Sequence, residues 1–189
     1  MVKEKPHGAG RSSYDLIDRN RLFEELQLKM GYTVLDMGCG PGDYSIAASN
    51  LVGDGGLVYA VDLWEEAIDA LFKRVSALGI KNIRMTVGNV SQPLPIGADA
   101  VDVCLISTVL HDFVEEGVAA KSLEEVARVL KPKGRLAVIE FKKIEGPPGP
   151  SVRIRLSPEE VERLVLPHGF TLQKLRDIGP YNYLVVFEK

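Results

Sequence analysis

The chain has 189 residues, of which 46% are hydrophobic and 26% charged, and its net charge is −3. That length suggests one domain, spanning 1–189, with enough chain to bury a core without metal or disulfide staples. The negative balance argues against a general basic face, so no nucleic-acid partner is expected.

Cys39 and Cys104 lie 65 residues apart and no CxxC is present. Neither a zinc set nor a secreted disulfide framework can be read from them, so no metal is expected. A reducing, cytoplasmic setting is the expectation. The opening stretch MVKEKPHGAGRSS has no apolar segment of the kind a signal peptide needs, and the longest apolar runs are strand-sized. No membrane span is expected.

Residues 1–12, which include His7, are polar and read as a loose terminus or a lid. Helical spacing of Leu16, Leu22, Phe23 and Leu26 predicts a helix over 15–29, stopped by Gly31. The whole of 1–29 forms an N-terminal segment ahead of an alternation. Strands are predicted at 33–37, 57–63, 83–88, 101–107 and 135–141, with helices at 45–52, 65–79 and 121–131. Pro93 and Pro95 keep 91–98 from forming a long helix. GPPGP at 146–150 must be a loop, and Ser157-Pro158 opens a helix to Pro167. Two strand-like runs, 171–177 and 182–189, are joined by a short turn and read as an antiparallel hairpin. Strands alternating with helices predict an α/β fold with a parallel sheet covered on both faces. Continuous apolar runs such as VCLIS fit burial on both sides. Ligands of such a sheet bind beyond the carboxyl ends of the strands, at the switch point.

After the first strand comes Asp36-Met37-Gly38-Cys39-Gly40-Pro41-Gly42. Alternate glycines remove Cβ atoms where the chain turns sharply and let a ligand approach the backbone. The next helix starts near Gly42, so its free N–H groups face the same space. Asp62, twenty residues further on at the end of the second strand, can accept hydrogen bonds from both hydroxyls of a ribose. Strand, glycine turn, helix, strand and terminal acid together point to a nucleoside. The dinucleotide pattern GxGxxG is not matched, because the third glycine comes one residue early, which disfavours a nicotinamide dehydrogenase.

VLDMGCGPGDYS closely resembles the first motif of class I S-adenosylmethionine-dependent methyltransferases. The similarity continues in order through VYAVDL (58–63), GNV (88–90), DAVDVCLISTVLHDF (99–113) and LKPKGRLAVIEF (130–141). Nearest in pattern are the small type 11 enzymes, a group that includes the ubiquinone/menaquinone C-methyltransferases. The resemblance implies a doubly wound, Rossmann-like seven-stranded sheet, mostly parallel, with its last strand inserted antiparallel beside strand 5. It also implies S-adenosyl-L-methionine as cofactor and S-adenosyl-L-homocysteine as product. By the same resemblance Asp36 and the Gly38-Cys39-Gly40 turn with Gly42 would hold the methionine part. Asp62 would bind the ribose hydroxyls and Leu63 would pack on adenine. Asn89 and Val90 would meet the adenine edge, and Ser107 would lie near the methionine carboxylate or the reactive methyl. Many relatives carry Asp where this chain has Asn89, whose amide oxygen can also accept from the adenine amino group.

Methyl transfer from a sulfonium needs alignment and exclusion of water, and a base only where the acceptor must lose a proton. His111 follows strand 4, where an acceptor should lie, and is the candidate catalytic base. Packing at a loop–helix junction is its competing role, and Asp112 reads equally as a helix cap. Glu140 points to the same zone from the end of strand 5. Arg153 and Arg155 read as a solvated edge or as a greeting for an anionic acceptor. The expected partner is a small-molecule acceptor. Alternatives are a methyltransferase of nucleic acid or protein, or a non-catalytic S-adenosylmethionine-binding partner subunit. No (D/N)PP(Y/F) motif follows strand 4, which weighs against the nucleic-acid reading. The sequence leaves the oligomeric state, the acceptor and the methylated atom open.

Overall fold

The computed structural model describes Gly10 and residues 12–189. His7 and most of the expected lid lie outside the described residues. A short 3-10 turn, Tyr14–Leu16, leads to α1 (Arg19–Leu26). The helix expected over 15–29 is therefore broken in two. Asp18 is the reason: its side chain accepts from the Arg21 N–H and starts a new helix after extended Ile17, and Gln27 ends that helix in the left-handed region.

The alternation then runs β1 (Thr33–Met37), α2 (Asp43–Val52), β2 (Leu57–Asp62), α3 (Glu65–Leu78), β3 (Ile83–Val87) and β4 (Val101–Ser107). It continues with α4 (Leu110–Glu115), α5 (Ala119–Val129), β5 (Leu130–Phe141), α6 (Pro158–Val165), β6 (Thr171–Asp177) and β7 (Asn182–Glu188). Local chemistry sets several boundaries. Gly79 caps α3 with positive φ. Ser157 and Glu160 form a reciprocal capping box around Pro158 at the start of α6. β5 begins earlier than expected, because Leu130 already pairs with Val101 before a register shift carries the strand past Gly134.

The seven strands lie in the order β3-β2-β1-β4-β5-β7-β6. β1 to β5 are mutually parallel; β7 runs antiparallel between β5 and β6. Alternate residues of each central strand face opposite sides of the sheet and feed three hydrophobic clusters. Leu35, Met37, Cys104, Ile106, Leu136 and Val138 face Leu110, Leu123, Val126 and Val161 of α4–α6. On the opposite face Val103, Leu105, Ala137 and Ile139 meet Leu22 and Leu26 of α1, while Val34, Val58 and Ala60 meet the apolar sides of α2 and α3. The chain winds outward from β1 in one direction and from β4 in the other. The crevice beyond the carboxyl ends of β1 and β4 is thus the switch point at which an open α/β sheet takes its ligand. Among the described residues no helix is long and apolar enough to cross a membrane.

Candidate active site

Two structures meet at that crevice. The first is the glycine turn. Gly38, Gly40 and Gly42 all have positive φ, a region that L side chains rarely adopt. A Cβ at Gly38 would come within 2.8 Å of Val109, and one at Gly42 within 2.2 Å of Leu71. The turn is tied to β2: the N–H groups of Gly38 and Cys39 donate to Val61 O, and the Gly40 N–H donates to Asp62 Oδ2 at 2.8 Å. The other carboxylate oxygen, Oδ1, accepts from the Trp64 N–H at 2.9 Å. Asp62 therefore fastens the turn to the start of α3 and stands at the crevice rim. Leu63 is half-buried beside it.

Asp36 lies beneath the turn, 1% exposed. Ser45 donates to its Oδ2 at 2.6 Å, whereas Oδ1 has no hydrogen-bond partner. Burial, with the nearby Asp62 charge adding to it, pushes this carboxyl up to about 7 against the pull of Ser45. Ser107, at the end of β4, likewise has a buried Oγ with no partner. Orphaned buried polar atoms are uncommon, and these two, both at the carboxyl ends of β1 and β4, leave bonding capacity that a water, an ion or a ligand group can fill.

The remaining nucleoside candidates divide. Val90 is buried in the α4–α6 core. Asn89 lies in the same loop, but its Oδ1 already accepts from the Ser91 N–H and hydroxyl. Cys39 packs into the α2–α3 core, and burial holds its thiol well above the ordinary range, as burial also does for Cys104.

The second structure is a buried pair that joins α4 to β5. His111 is 4% exposed and Glu140 is fully buried. Glu140 accepts from the backbone N–H groups of His111 and Phe141, and its Oε2 lies 2.9 Å from His111 Nδ1. An acceptor so surrounded makes Nδ1 the proton-bearing nitrogen and leaves Nε2 basic. Nε2 is 3.6 Å from Asp112 Oδ1. Burial alone would lower the His111 pKa, but the bond to Glu140 and the charges of Glu140 and Asp112 outweigh it and hold it above the ordinary value.

His111 and Asp112 open onto a cavity of about 420 Å³. Thr108 and Phe141 also line it, as do the loop Pro147–Ser151 and Ser12, Ser13 and Leu16 of the N-terminal segment. That segment crosses the crevice. Ser13 is bonded to the Tyr44 hydroxyl at 2.8 Å and to Thr108 Oγ1 at 3.1 Å, and Gly10 packs so closely on the Trp64 ring that a Cβ would come within 2.7 Å of it.

Comparison with known proteins decides the family. A family model described as "Methyltransferase domain" matches residues 28–165. The chain belongs to the class I S-adenosylmethionine-dependent methyltransferases. It is 30% identical over 130 residues to a demethylmenaquinone methyltransferase from Lactobacillus johnsonii, covering 68% of this chain and 52% of that protein. It is 34% identical over 117 residues to the ubiquinone/menaquinone biosynthesis C-methyltransferase UbiE of Haemophilus ducreyi, covering 61% and 44%. The chain thus spans about half the length of the curated relatives it matches. A crystal structure of a SAM-dependent methyltransferase from Aquifex aeolicus superposes with a TM-score of 0.85 at 32% identity, covering 93% of this chain and 92% of that one. A type 11 methyltransferase from Sulfolobus solfataricus shares the fold at TM-score 0.75 and 21% identity, covering 92% and 93%.

For this methyltransferase the cofactor is S-adenosylmethionine, and the crevice suits it. The glycines leave no Cβ between backbone and ligand, and the unpartnered Asp36 Oδ1 and Ser107 Oγ are fitting companions for the polar end of a methionine. Sequence reasoning missed Tyr44, Thr108 and Trp64, and its reading of Asp112 as a helix cap is corrected: Asp112 lies inside α4, which starts after Val109 with no side-chain cap. Arg155 also departs from expectation. It is 1% exposed, and its guanidinium is spent on backbone carbonyls rather than displayed to solvent or to an acceptor.

The Asp36 carboxyl makes stability depend on pH. The folded state holds this proton up to about 7, whereas an unfolded Asp loses it near pH ~4. Between those values the folded state binds more protons, so Asp36 makes the fold less stable as pH rises, by at most about 4 kcal/mol above pH ~7. The melting temperature of Asp36→Asn relative to the parent should therefore climb between pH ~5 and pH ~8. A constant difference across that range would show that Asp36 is ionised throughout.

Proposed function

We propose that the chain transfers the methyl group of S-adenosylmethionine to a small, largely apolar acceptor that must lose a proton, with His111 as the base. The observation that carries this reading is the cavity itself. Its proline loop, Phe141 and N-terminal segment form a wall suited to an enclosed small molecule, and His111, backed by Glu140, stands on that wall. At about 420 Å³ it falls within the ~300–1,000 Å³ common for small-molecule sites.

Asp36, Ser107 and the glycine turn would hold the methionine end of the cofactor, and Asp62 the ribose. Bound S-adenosylmethionine supplies a methyl group already activated by its sulfonium. The protein then has to align the acceptor, keep water out and remove a proton. Thr108 joins the two compartments: its N–H donates to Ile139 O, its hydroxyl bonds Ser13, and its side chain lines the cavity. His111 Nε2 takes the acceptor's proton. Glu140 holds the ring's orientation and, with Asp112, stabilises the imidazolium that results.

The names of the relatives suggest a quinol-type ring as acceptor. Incubation with methyl-labelled S-adenosylmethionine and 1,4-dihydroxynaphthalene, kept reduced, should yield a methylated naphthalenediol by mass spectrometry. Label entering only the protein or RNA of a cell lysate, with none in the diol, would move the assignment to a macromolecular acceptor.

A further inference from the structure

The loop that walls the cavity contains four prolines and glycines in a row before its final proline, and no strand or helix holds it. One buried side chain does. Arg155 Nε donates to Pro150 O at 2.9 Å, Nη1 to Lys142 O at 3.0 Å and Ile144 O at 2.9 Å, and Nη2 to Gly146 O at 2.8 Å and Pro148 O at 2.9 Å. Every N–H of the guanidinium is used, and the acceptors are alternate carbonyls from Lys142 to Pro150. The charge lies 5.5 Å from the centre of the Phe141 ring, on which Gly149 also packs, and no carboxylate forms an ion pair with it among the described residues.

A buried cation without a counter-ion is costly unless hydrogen bonds replace its hydration. Five carbonyl dipoles do so here, and only the planar five-donor fork of arginine can reach them all; an ammonium has three donors and no plane. Resting on the acceptor reading above, we propose that Arg155 is the positioning residue of the acceptor cavity: its guanidinium templates the loop Lys142–Pro150 and so fixes the wall Pro147–Ser151 opposite His111. The template sets where the acceptor sits, and leaves the glycine turn and Asp62 untouched.

The test needs both the parent protein and two variants. In the 15N-labelled parent, the Arg155 Nη protons should give four separate, slowly exchanging NMR signals, as for a guanidinium locked in place. In Arg155→Lys and Arg155→Met, the Ile144 amide, which donates to Lys142 O within the loop, should exchange at least ~100-fold faster, the factor expected from losing two or more bonds of a charged donor. S-adenosylhomocysteine affinity should stay within ~3-fold, while KM for 1,4-dihydroxynaphthalene rises at least ~10-fold, since the hydrogen bonds of Arg155 go to the loop carbonyls and not to the glycine turn or Asp62. Lysine should fail as methionine does. Averaged, rapidly exchanging Nη signals in the parent would overturn the proposal even where neither variant folds. Restoration of loop protection by lysine, or a parallel loss of cofactor affinity, would overturn it too. Absence of turnover in the parent would instead count against the diol as acceptor, and the exchange data would still decide the role of Arg155.

Discussion

Replacing His111 should reduce turnover by roughly 10²–10⁴-fold, the range for removal of a positioned general base, while S-adenosylhomocysteine affinity changes little. His111→Ala also strips Glu140 of its ring partner inside the fold, so His111→Asn is the sharper variant: its amide nitrogen, bonded to Cγ as Nδ1 is, keeps an N–H donor for the carboxylate and the side chain has no basic nitrogen. Calorimetry against the cofactor product separates the two effects, because a misfolded site loses both. The pH dependence gives an independent check. A base must be neutral to act, so kcat/KM should rise with pH through one ionisation above the ordinary histidine value of ~6.5. Glu140→Gln removes the charge that raises His111, and the ionisation should move to lower pH. Equal rates in His111→Asn and the parent would reduce His111 to a packing residue.

His111 shows what the sequence does and does not reveal. Its place after strand 4, and that of Glu140 at the end of strand 5, follow from strand periodicity and the rule that ligands sit at carboxyl ends. Their pairing does not, because they are 29 residues apart and meet only through the β4–β5 pairing and the intervening α4. That helix has six residues and an uncapped start at Val109, so the cap-like Asp112 marks its start too late. The glycine turn was legible for the opposite reason: three positive-φ positions in so short a turn, two of them with no room for a Cβ, favour glycine whatever the rest of the fold does, and the spacing to Asp62 is fixed by one βαβ unit. Arg155 was misread because an arginine in a polar run normally faces water. Its burial depends on a loop that curls around it, and alternate carbonyls leave no mark on side-chain pattern.

Loss of the Asp62 carboxylate should have the largest effect on cofactor binding. Asp62→Ala is expected to weaken S-adenosylhomocysteine binding by roughly 30- to 1,000-fold, as losing one or two hydrogen bonds to a charged acceptor costs about 2–4 kcal/mol. Two causes act together. Ribose hydroxyls lose their acceptor, and the Gly40 and Trp64 N–H groups lose the oxygens that tie the glycine turn to α3. Asp62→Asn separates them. Its amide oxygen can keep one backbone donor, but its NH₂ group then confronts the other N–H, so the turn loosens while the shape of the rim is preserved. If the turn matters most, Asn should bind almost as poorly as Ala, and exchange of the Gly40 amide should quicken in both. If the ribose contact matters most, Asn should recover much of the affinity through its remaining acceptor. In either case Asp62→Ala should harm cofactor binding more than His111→Ala does, because His111 lies on the acceptor side of Thr108. The reverse order, read by calorimetry, would mean that the nucleoside and the acceptor have been assigned to the wrong halves of the crevice.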